Sequence, residues 1–90
     1  MPDTPPLPIR VPDLGCEDRP IVVGQWLTRP GEPIVAGDRL AELICESVLF
    51  YAEAEVGGRL VTVCQPSGCT VECGQVLGEM QPLDDAVDSL

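Results

Sequence analysis

Gly31-Glu32-Pro33-Ile34-Val35-Ala36-Gly37-Asp38-Arg39-Leu40 and Gly68-Cys69-Thr70-Val71-Glu72-Cys73-Gly74-Gln75-Val76-Leu77 are one ten-residue pattern written twice. The offset is 37 residues, from Gly31 to Gly68. It also lays Ile34 on Val71, Gly37 on Gly74, Leu40 on Leu77 and, just beyond the stretch, Leu43 on Met80. Paired glycines at the same spacing imply the same two backbone bends made twice, because glycine alone adopts positive φ at little steric cost. Two strand–turn–strand halves then predict two small sheets related by a pseudo-twofold axis.

Around the repeat, short β-branched runs are separated by Gly and Pro, which reads as all-β. Candidate strands are 9–12, 21–27, 39–44, 49–53, 58–63 and 75–80. Helices are hard to place, since Gly or Pro interrupts nearly every ten-residue window. Residues 1–8 form a Pro-rich lead-in, 9–81 the domain, and 82–90 an acidic tail, and both ends are expected to be mobile. Ninety residues allow one domain. With 44% hydrophobic and 3% aromatic residues, its core must be built from Val, Leu, Ile and Cys.

The charge balance excludes more chemistry than any motif adds. Fifteen acidic residues face five basic ones, for a net charge of −10. All five basic residues are arginines, so the chain has neither lysine nor histidine. The commonest neutral-pH acid/base and metal ligand is therefore missing. So are a Schiff base, a phosphate-loop lysine and any side-chain amine for holding a cofactor. An acidic chain is repelled by nucleic acid and by anionic membranes, so a charged partner should be basic. No apolar stretch reaches the ~20 residues of a membrane span, and the proline-rich, acidic start is unlike a signal peptide. A soluble, cytoplasmic protein is expected. Cys16, Cys45, Cys64, Cys69 and Cys73 are an odd number for a secreted disulfide framework, and reduced thiols are the first expectation.

Six segments in order resemble the lipoyl/biotinyl carrier domains, above all the lipoyl domains of 2-oxoacid dehydrogenase acyltransferases. Val11-Pro12-Asp13-Leu14-Gly15 is similar to the family's opening, and Ile21-Val22-Val23-Gly24-Gln25-Trp26-Leu27 to its second strand. Pro30-Gly31-Glu32 with Val35-Ala36-Gly37-Asp38, then Arg39-Leu40-Ala41-Glu42-Leu43, match the approach to its cofactor hairpin. Val56-Gly57-Gly58-Arg59-Leu60 and the closing Gly68 to Leu77 complete the set. The resemblance implies a flattened β-barrel, a sandwich of two four-stranded antiparallel sheets with pseudo-twofold symmetry.

It fails at the point where the family does its chemistry. Where the family presents a lysine on a tight hairpin, the chain reads Ile44-Cys45-Glu46-Ser47-Val48, with Ser47 at the lysine position. Attachment of lipoate or biotin needs a primary amine, so no cofactor is expected, and no enzyme activity. Ser47 has no His or Lys to act as its base and reads as a polar turn residue. The pattern predicts a two-residue turn at Glu46-Ser47, exposed between two apolar strands.

The function expected from this reading is an unmodified, non-catalytic protein-interaction module. It would dock a basic partner through the tip and an acidic surface of Asp13, Glu17, Asp18, Asp38, Glu42, Glu46, Glu53 and Glu55. The alternative is a thiol-redox module. The resemblance places the loop carrying Cys16 beside the hairpin carrying Cys45, although the surrounding carboxylates should raise both thiol pKa values. Cys64, Cys69 and Cys73 are spaced C-x4-C-x3-C without the C-x2-C knuckle of structural zinc, and no metal is expected. Asp88-Ser89-Leu90 matches the phosphopantetheine acceptor of acyl carriers only by coincidence. Trp26 is expected to be core or half-buried strand.

Overall fold

The four repeat glycines all lie in the left-handed region, with φ of 94° at Gly31, 93° at Gly37, 95° at Gly68 and 83° at Gly74. These bends fold each half back on itself. The structure, a computed structural model that describes residues 5–16 and 18–83, contains eight strands. These are β1 (Leu7–Arg10), β2 (Ile21–Trp26), β3 (Pro33–Ile34), β4 (Arg39–Cys45), β5 (Val48–Glu53), β6 (Gly58–Val63), β7 (Thr70–Val71) and β8 (Val76–Pro82). There is no helix among the described residues.

The strands form two antiparallel four-stranded sheets, ordered β1-β8-β6-β3 and β5-β4-β2-β7. The 37-residue offset carries β2 onto β6, β3 onto β7 and β4 onto β8, so the second sheet repeats the order of the first. The hydrogen bonds repeat with it. Gly31 N–H donates to Leu60 O and Gly68 N–H to Val23 O, both at 2.8 Å. Likewise Gly37 N–H donates to Ala54 O and Gly74 N–H to Val11 O, again both at 2.8 Å. Even the turn side chains correspond: Asp38 Oδ2 accepts from Val35 N–H and Gln75 Oε1 from Glu72 N–H, each at 3.0 Å. Each half therefore closes on the other, and the pseudo-twofold relation is present at the level of single hydrogen bonds.

Alternating positions of these strands meet between the sheets. Ile21, Val23, Leu40, Leu43, Leu60, Val71 and Leu77 are almost wholly buried, with Cys16 and Cys45 in the same cluster. Trp26 is half-buried against this core, and its indole N–H donates to Gln65 O at 2.8 Å. Among the described residues no polar or charged one is buried, so the core is aliphatic, as the composition requires.

Five of the six expected strands shift by one or two residues at an end, and two short strands are added. The first strand begins at Leu7, inside the expected lead-in, because Leu7 pairs with Met80 and draws the chain into the sheet. Its partner β8 runs on to Pro82, which pairs with Gly58. The two-residue strands β3 and β7 were absent from the candidates, since pairing with β6 and β2 defines them and no apolar run marks them. Residues 1–4 of the lead-in and 84–90 of the acidic tail, including Asp88-Ser89-Leu90, lie outside the described residues.

Candidate functional site

β4 and β5 pair in register without a break from Ala41↔Ala52 to Cys45↔Val48. That last pair leaves Glu46 and Ser47 to make the turn. Both are exposed, with φ of 50° and 70°. Two consecutive positive φ values define a type I′ turn, whose twist matches that of the flanking strands. Neither residue is the Asn or Gly that this turn favours, so the tight register of the apolar strands imposes the conformation on an ordinary dipeptide. The result is an exposed tip that carries one carboxylate and one hydroxyl.

The loop joining β1 to β2 lies against this tip. Arg19 Nη1 donates to Glu46 Oε1 at 2.9 Å, although both side chains are more than half exposed, so water screens the pair strongly. Asp13 Oδ1 accepts from Gly15 N–H at 3.0 Å, and Cys16 O accepts from Arg19 N–H at 2.8 Å, which shapes the loop. Beneath these polar contacts Cys16 and Cys45 are joined by a disulfide, with Cα atoms 6.8 Å apart. Cys16 is 5% exposed and Cys45 2%, so the bond lies in the core end of the site. The reduced state expected for all five cysteines thus gives way at this pair. The physical reason is the fold: the loop delivers Cys16 within bonding reach of a β4 side chain 29 residues away in sequence. Cys64, Cys69 and Cys73 are free. No cluster of three metal-ligating side chains occurs among the described residues.

Around the tip the outer sheet face is apolar. Ile44 lies opposite Leu49 on β5 and opposite the half-buried Val22 on β2, and both Ile44 and Leu49 are exposed, whereas Val48, opposite the buried Cys45, is exposed at the tip on the other face. The acidic residues named from sequence do not form one surface. Asp13, Asp18 and Glu46 belong to the loop and tip, and Glu42 is half-buried two residues before Ile44, its Oε1 accepting from Gln25 N–H. Asp38, Glu53 and Glu55 sit at the opposite end of β4, on the order of 20 Å away at strand rise. Glu17 lies outside the described residues. One acidic residue not anticipated at the tip end is Glu72. The turn between β7 and β8 is bonded to Val11 at the start of the loop, which carries Glu72 to the same end. The repeat could have located it, because Glu72 follows Val71 in a bend already marked by Gly74.

A lysine-free hairpin at one end of two pseudo-symmetric four-stranded sheets defines a carrier-type barrel whose attachment turn bears no side-chain amine. The family model described as "Biotin-requiring enzyme", the biotin/lipoyl family, matches residues 7–80, and the chain belongs to that family. It is 36% identical over 70 residues to the dihydrolipoyllysine-residue succinyltransferase component of the 2-oxoglutarate dehydrogenase complex of Bacillus subtilis, covering 78% of this chain and 17% of that protein. The Escherichia coli K12 protein of the same description is 32% identical over 73 residues, covering 81% of this chain and 18% of its own length. The chain thus spans less than a fifth of these relatives. The solution structure of the lipoyl domain of the 2-oxoglutarate dehydrogenase complex from Azotobacter vinelandii superposes with a TM-score of 0.67 at 23% identity. That match covers 83% of this chain and 95% of that domain, and it establishes the shared fold.

Proposed function

We propose that this domain is an unmodified, non-catalytic member of the biotin/lipoyl family, which works by docking a protein partner at its hairpin end. One observation carries the reading: the turn at the family's attachment position exposes only the Glu46 carboxylate and the Ser47 hydroxyl. Lipoate and biotin are held through an amide, and an amide needs an amine. The donor set at the tip does not fit either group, and no lysine elsewhere in the ninety residues can replace it.

What the tip keeps is recognition surface. Ile44, Leu49 and, at the turn, Val48 offer exposed apolar area, and the exposed Asp13, Asp18, Glu46 and Glu72 bring negative charge to the same end of the barrel. A partner face with an apolar centre and a basic rim is complementary to this arrangement, and its affinity should fall with added salt. The relatives' names place them in a dehydrogenase complex, and a multienzyme assembly of that kind is where such a partner is sought first.

Co-expression with a lipoate ligase and lipoate, followed by intact-mass measurement, tests the reading. The wild-type chain is expected to keep its unmodified mass, and Ser47→Lys to gain the lipoyl mass, because the flanking strands hold the turn in family geometry. Lipoylation of the wild-type chain would overturn the proposal.

A further inference from the structure

We propose that Cys16 and Cys45 form a reversible redox staple that locks the β1–β2 loop onto the hairpin. The proposal needs no partner and does not depend on what docks at the tip. Three observations carry it. The two residues are within disulfide reach, at 6.8 Å between Cα atoms, and the bond closes a span of 29 residues. Both side chains also suit the core as small apolar groups, so the reduced protein keeps its packing. Finally, apart from the disulfide, the described side-chain link from this loop to the tip is the exposed Arg19–Glu46 pair, which is worth little in water. Oxidation therefore adds the strong connection between loop and tip.

The oxidant is a low-molecular-weight disulfide such as glutathione disulfide. Cys16 is 5% exposed, so reaction there requires local opening around it. Its thiolate attacks one sulfur of the small disulfide and releases one small thiolate, leaving a mixed disulfide on Cys16. As the loop closes, the Cys45 thiolate attacks the Cys16 sulfur and expels the second small thiolate. The Cys16–Cys45 bond forms, the small disulfide is reduced to two thiols, and the protons lost by the two cysteines end on those thiols. Reduction runs the same steps backward. Because both sulfurs are buried, each direction waits for the loop to open. In a reducing compartment the bond forms only under oxidising challenge and is undone afterwards.

The test uses the full ninety-residue chain with Cys64, Cys69 and Cys73 all changed to Ser, which leaves only the pair in question. The reduced protein is treated with glutathione disulfide, denatured and alkylated. Expected are the loss of both alkylatable thiols, an intact mass lower by two hydrogens, and a cross-linked peptide joining Cys16 to Cys45. The 29-residue span predicts an unfolding constant lower in the oxidised form by several hundred-fold. Persistent free thiols or stable glutathione adducts on a folded protein would overturn the proposal. If the triple variant does not fold, disulfide mapping of the oxidised wild-type chain decides the matter, and cross-links involving Cys64, Cys69 or Cys73 in place of Cys16–Cys45 would refute it.

Discussion

Gly37 and Gly74 are 37 residues apart in sequence, at opposite ends of the barrel, yet they should respond to the same substitution in the same way. Both have φ in the left-handed region, at 93° and 83°, and at both a Cβ would meet nothing within 4 Å. Steric crowding is therefore removed from the comparison, and what remains is backbone conformation. Placing an L side chain in this region costs roughly 1–2 kcal/mol. Against that, replacing glycine narrows the unfolded ensemble and returns about 0.4–1 kcal/mol. Each alanine variant should then lose about 1 kcal/mol, and the double variant about twice that, since the sites share no partner. Gly58→Ala is the internal control. Its Cβ would press into the Gln81 carbonyl and come within 2.8 Å of Pro82 Cα, so backbone must move and the loss should be roughly 3 kcal/mol. Urea denaturation followed by tryptophan fluorescence at Trp26 reads all four proteins. If Gly37→Ala and Gly74→Ala differ by more than ~1 kcal/mol at equal m-values, the two bends are not equivalent and the symmetry argument fails.

Two further substitutions test local claims. Replacing Glu46-Ser47 by Asn-Gly supplies the residues a type I′ turn prefers, and thermal melts should show a gain of about 1 kcal/mol. A loss would mean that the turn geometry is wrong. Trp26→Phe keeps most of the ring but removes the indole donor to Gln65 O. It should cost about 1–2 kcal/mol in urea denaturation followed by far-ultraviolet circular dichroism, and a neutral result would place that bond in water.

The parts of the fold visible in the sequence were those fixed by local chemistry. Positive φ must be written as glycine wherever no tertiary contact enforces it, so Gly31, Gly37, Gly68 and Gly74 announced the repeat. The hairpin was visible as the polar break Glu46-Ser47 between apolar runs. The elements that were not visible are fixed by partners distant in the chain. β3 and β7 are two residues each and exist through pairing with β6 and β2. Leu7 is exposed and carries no pattern, yet its register opposite Met80 starts the first strand. The site divides in the same way. The missing amine is a property of composition and could be read directly. The separation of Asp38, Glu53 and Glu55 from the tip, and the arrival of Glu72 there, depend on strand direction and crossover. The bond between Cys16 and Cys45 also depends on where a loop lands, and it was the family resemblance, which sets that loop beside the hairpin, that brought this pair forward as the alternative.

On the proposed function, the hairpin end acts through its surface and carries no attached group. The most direct test is the intact mass of the protein purified from its own cells without a tag, measured after reduction and again without it. The reduced sample is expected to show the mass of the unmodified chain, with any difference between the samples confined to hydrogens lost in disulfide formation. A reduced sample heavier by a lipoyl or biotinyl group, mapped to the peptide containing Ser47, would contradict it.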